Sequence, residues 1–153
     1  MTHLKTYKSL IRIFISLLVA NSAMAESSKE YAMMGQSTWV AFECSALASK
    51  TGNAKEQERL FTFGYEEGLK FIDALKSEKI KNSDLKSEVP LTVLWSLQGP
   101  TPDFMLGRVF EVAMEYALKD VYKTDGANND EEMQKVKAER EFRKRNCKLI
   151  GQK

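Results

Sequence analysis

Few side chains in this chain could do chemistry, and the gaps among them narrow the possible reactions. The only histidine is His3, inside an N-terminal segment that reads as a removable leader. Without it, no imidazole remains to act as a general base, to activate a serine or cysteine, or to ligate a metal. The two cysteines are Cys44 and Cys147. In an exported chain, such a pair reads as a disulfide, which removes both sulfurs from nucleophilic and metal chemistry. Bridging positions 44 and 147 closes a long loop, worth about 4–5 kcal/mol on the chain-entropy account. Carboxylates remain: Glu66, Glu67, Asp73, Glu111 and Glu115. Two of them facing each other across a cleft could do acid–base work on a glycan. Helical carboxylates more commonly pair with a nearby cation, and Arg108–Glu111 and Glu115–Lys119 have the spacing to do so. The expectation is a protein that is not an enzyme, uses no cofactor and binds no metal.

A second group of residues points to contact. Gly64 and Gly68 lie four apart, and Gly107 sits inside another apolar helical run. Each costs about 1 kcal/mol against alanine in a helix interior. The simplest reason for that cost is close packing of one helix on another, expected at Gly64, Gly68 and Gly107. The other reason is a groove floored by glycine and walled by Phe61, Tyr65, Phe104 and Phe110. On that reading the partner contacts are Tyr65, Gly68, Asp103 and Arg108. Asp103 also suits the first turn of a helix, where the dipole favours a negative charge. An anion site in the loop 98–103 is disfavoured, because Pro102 lacks an N–H and Asp103 brings its own charge.

Helices must position these residues. "SSKE" at 27–30 forms a capping box, predicting a helix over 30–50 with Trp39, Val40, Phe42, Cys44 and Leu47 on its apolar side. Asn53 and Glu56 predict another box, opening a helix over 54–77 in which Leu60, Phe71 and Leu75 recur at helical spacing. Residues 78–88 are polar and expected to be irregular or a short helical turn. "VPLTVLWSLQ", 89–98, alternates like a strand, but a lone strand would have no partner, so a short helix is expected. Thr101 as N-cap and Pro102 at the first helical position start the next helix, whose core side is Leu106, Val109, Phe110, Ala113, Tyr116, Ala117 and Val121. "KTDGANND", 123–130, is a turn-rich break, and a last helix capped by Asp130 runs over 131–149. The expected fold is all-α, a compact bundle of about five helices, with one disulfide joining the first and last long helices.

Location follows from the first 25 residues. Lys5, Lys8 and Arg12 precede the apolar run "IFISLLVA", and Ala23 and Ala25 flank Met24. Basic, apolar, then small-x-small is the order of a secretory signal peptide, cleaved here between Ala25 and Glu26. Residues 26–153 would then form a single helical domain exported to a bacterial periplasm or beyond, with no spanning segment. The leader holds three of the 23 basic residues and none of the 21 acidic ones, so the mature chain has a formal net charge of −1. That balance disfavours nucleic acid as a partner. Lys137, Arg140, Arg143, Lys144, Arg145 and Lys148 suit the C-terminal end of the last helix, and could alternatively dock an acidic protein or anionic lipid.

The frame of Cys44, "GYEEG" at 64–68, "GPTPDFMLGR" at 99–108 and "NC" at 146–147 resembles small exported helical bacterial proteins of unknown function. Within it, "FGYEEGLKFIDAL", 63–75, resembles a helix of the periplasmic immunity proteins that neutralise type VI secretion amidase effectors, through Gly64, Tyr65, Gly68, Asp73 and Ala74. That resemblance implies a small disulfide-bonded inhibitor that binds another envelope or secreted protein. A bundle that binds a small molecule or lipid among Phe61, Phe63, Phe104 and Phe110 is the alternative reading, and a carboxylate-dependent glycan hydrolase is the third.

Overall fold

The structure, a computed structural model, describes residues 26–152. The leader expected over 1–25 lies outside the described residues. Six α-helices follow in chain order: α1 (Ser28–Lys50), α2 (Ala54–Lys76), α3 (Asn82–Glu88), α4 (Leu91–Ser96), α5 (Pro102–Tyr122) and α6 (Glu131–Lys144). A two-residue hairpin, β1 (Lys123–Thr124) and β2 (Ala127–Asn128), joins α5 to α6. A turn of 3-10 helix, Cys147–Leu149, closes the chain. The fold is all-α as expected, with one more helix than the sequence resolved.

The helix starts obey their caps. Ser27 accepts the Glu30 N–H and Glu30 accepts the Ser27 N–H, so α1 begins at once after Ser27. Asn53 caps α2, but the return half of its expected box is missing. Glu56 instead binds Arg59, at 3.1 and 2.8 Å. That fork continues to the C-terminal turn, where Arg59 donates to the carbonyls of Ile150 and Cys147. Residues 82–88 are a true helix. Ser28 holds its start against α1, accepting the Lys81 N–H at 2.8 Å and bonding Asp84.

Helix α4 settles the ambiguity at 89–98. A strand would bury Val89, Leu91, Val93, Trp95 and Leu97 on one face. Val89 and Val93 are buried while Leu91 and Trp95 are exposed, Trp95 by 63%, so burial recurs every four residues. The helix expected over 131–149 breaks at Asn146, which takes the left-handed conformation at φ 53°. Tyr116 is not in the core. It is 63% exposed and packs its ring against Trp39 at 5.9 Å.

Helix α1 is the spine of the bundle, running against α2 along most of its length and then against α5 and α6. Two apolar clusters stack along it. One gathers Trp39, Phe42, Phe71, Ile72, Leu106 and Val109. The other gathers Leu47, Leu60, Leu118, Val121 and Phe142 around the Cys44–Cys147 disulfide.

Candidate functional site

Gly64 and Gly68 are where α2 meets its neighbours most closely. A Cβ on Gly64 would lie 2.9 Å from the Phe42 ring and 3.0 Å from Ala41 Cβ on α1. One on Gly68 would lie within 2.4 Å of Leu106 Cδ2 on α5 and 3.2 Å of Thr38 on α1. Both are therefore packing glycines. Gly68 is buried under those neighbours, which corrects its expected place among the partner contacts: it has no surface to offer.

Gly107 is different. It is exposed, and a Cβ there would meet nothing within 4 Å. The expectation that it allows close helix packing is corrected, because no helix approaches it. Instead it lines a cavity of about 320 Å³ with Phe42, Phe61, Tyr65, Asp103, Leu106 and Phe110. The cavity exists because α2 and α5 each pack against α1 and touch each other far less. Phe42 on α1 forms its floor, fully buried. Phe61 stacks on Phe42 with centroids 5.6 Å apart and on Tyr65 at 6.3 Å. Phe110 meets Phe42 and Phe61 edge-on, at 5.3 and 5.2 Å.

The rim is polar. The Tyr65 hydroxyl on α2 donates to Asp103 Oδ1 on α5, bridging the two walls. That hydrogen bond holds the Tyr65 pKa above its ordinary value, since ionisation would forfeit it and set a second negative charge beside the carboxylate. Arg108 does not reach Glu111 as its spacing allowed. It donates to the Gln98 carbonyl at 2.8 Å, which ties the loop before α5 to that helix. The expected contacts Tyr65 and Asp103 are thus joined, with Arg108 alongside on the same helix.

Two expected aromatic walls lie elsewhere. Phe104 covers Gly99, and Phe63 faces Gly151 in the C-terminal turn. The sequence had not placed Phe42 and Leu106 in the groove. Both are buried core residues that also line the cavity. A larger, shallower concavity of about 490 Å³ lies on the outer side of α5 among Val112, Glu115, Tyr116, Lys119, Tyr122 and Lys123. Its lining side chains come from one helix and the start of the hairpin.

The remaining candidates lie away from the groove. Cys44 and Cys147 are bonded to each other. Glu66, Asp73 and Glu111 are exposed and none lines the groove. Among the described residues, no group of three or more His, Cys, Asp and Glu side chains is placed to hold a metal ion. In the basic C-terminal segment, Arg145 turns inward to Glu43, while Arg140 and Lys144 pair with Glu141.

No family model matches the chain, and no curated protein or solved structure matches it either. Among the described residues, no helix is long and apolar enough to cross a membrane.

Proposed function

We propose that the protein is an exported, non-enzymatic binding or inhibitor protein of the bacterial envelope, immunity-like in kind, which takes a partner protein in the groove between α2 and α5. The observation that carries this reading is Gly107. It costs a long helix about 1 kcal/mol, yet no neighbour requires it, and it lines a cavity together with aromatic rings. The volume is at the small end for ligand sites, and of the right order for one anchoring side chain of a partner. Export rests on the leader-like N-terminus and is compatible with the bridged cysteines and with the lack of a spanning helix among the described residues. The absence of histidine after position 3 and the bridged cysteines favour binding over catalysis.

The test compares three baits, each residues 26–153 with the disulfide formed: the natural chain, Gly107→Ala and Gly107→Leu. Each is exposed to envelope extract, and the retained protein is purified and titrated calorimetrically. The expected result is one partner bound by the natural chain and weakened at least tenfold by Gly107→Leu, with all three baits equally folded by circular dichroism. Equal affinity for Gly107→Leu would remove the groove from the binding surface.

A further inference from the structure

The groove's surroundings select the charge of its occupant. No basic residue stands three or four positions from any of the α2 and α5 residues that line it. That spacing defines the neighbours on a helix surface. Carboxylates do stand there: Glu58 is one turn from Phe61, and Glu111 is one turn from Gly107. Both are exposed, and neither forms an ion pair among the described residues. Asp103 belongs to the lining itself and accepts from Tyr65, a neutral donor, so its charge is not balanced. Arg108, the nearest cation along α5, is not part of the lining and donates to the Gln98 carbonyl.

We infer that the groove is a cation-binding site of mixed aromatic and carboxylate character, and that its occupant is an arginine side chain of the partner protein. This rests on the proposed binding role and specifies its chemistry. Aromatic faces attract cations, and the attraction grows when water is excluded. A guanidinium is planar, weakly hydrated and able to stack on a ring while its N–H groups meet a carboxylate. Its apolar stem suits the walls formed by Leu106 and Phe110. Tyr65 holds one oxygen of Asp103, which fixes the carboxylate at the mouth.

The test is an NMR titration of residues 26–153, following backbone amide shifts. The probes are N-acetyl-arginine methylamide, its uncharged urea counterpart N-acetyl-citrulline methylamide, and choline as a free organic cation. The expected result is movement of the Tyr65, Asp103 and Gly107 signals with the arginine probe, at an affinity about tenfold above the citrulline probe. Asp103→Asn, which can still accept from Tyr65, should lower arginine affinity by a similar factor, and Gly107→Leu should abolish it without changing the melting temperature downward. Equal binding of the arginine and citrulline probes would overturn the charge assignment and leave the groove as an apolar docking site. Binding of choline but not of the arginine probe would assign the site to a small-molecule cation and overturn the partner side chain. No movement of the groove signals with any probe would overturn this inference, while the proposed function is decided separately by the partner affinity of Gly107→Leu.

Discussion

Gly64 and Gly107 occupy helix interiors and would gain the same methyl group on substitution, yet their surroundings dictate opposite outcomes. At Gly107 the methyl enters open space. Gly107→Ala should raise stability by about 1 kcal/mol, seen as a higher melting temperature. At Gly64 the methyl would press on the Phe42 ring and on Ala41 Cβ, neither of which can swing aside. Gly64→Ala should lower stability by about 1–3 kcal/mol in the same melt. Matching signs for the two variants would contradict the packing described here. Glu43 sets a different residue-level test. It is 4% exposed, and Arg145 Nη1 stands 2.7 Å from its carboxylate. Burial nevertheless raises its pKa, with Arg145 offsetting only part. The folded state therefore keeps the Glu43 proton to higher pH than the unfolded chain does. Its contribution to stability is greatest below the ordinary carboxylate range and falls as pH rises from about 4.5 through the folded value. Arg145→Met removes the compensating charge. It should cost about 3 kcal/mol near neutral pH, and urea unfolding across pH should show that cost shrinking on acidification.

At the scale of elements, Thr101 has the clearest task. Its hydroxyl accepts the Phe104 N–H at 3.2 Å, fixing the first turn of α5 and with it Asp103 at the groove mouth. Thr101→Ala should lower stability by about 1 kcal/mol in denaturant melts. The same variant should broaden or shift the Asp103 amide signal, because the turn that carries it is loosened. Thr101, Pro102, Ser27 and Asn53 were all legible in the sequence, since a cap is a local bond between residues three apart. Bonds between distant segments were not. Ser28 bonds Lys81 and Asp84, and Arg59 bonds carbonyls of the C-terminal turn, so the order of 82–88 and the diversion of Glu56 were hidden. The hairpin after α5 was missed although its signal was present. Asp125 and Gly126 both have positive φ, as a two-residue hairpin turn requires, and "DG" is a common dipeptide for it. For the groove, Tyr65, Asp103 and Gly107 were legible as types at helical spacing. Whether a glycine met another helix or open space depended on how α2 and α5 each seat on α1, and no local pattern encodes that arrangement.

The whole molecule divides along α1 into the cluster that carries the groove and the cluster that holds the disulfide, and a redox experiment can separate them. Phe42 belongs to the first and Cys44 to the second, although they are two residues apart. Cys147 belongs to the C-terminal turn, which Arg59 also holds, while the groove walls come from α2 and α5. The bridge closes a loop of 103 positions. Breaking it should therefore release chain entropy in the unfolded state worth about 4–5 kcal/mol, with little effect on the groove's geometry. The Cys44→Ala, Cys147→Ala double variant should melt well below the oxidised chain, with the C-terminal amides exchanging first. Well below its own melting temperature it should bind the arginine probe within about twofold of the natural affinity, since stability and site geometry would be uncoupled. A large loss of affinity in a still-folded double variant would mean that the C-terminal turn helps to position α2, and that the two clusters act as one unit.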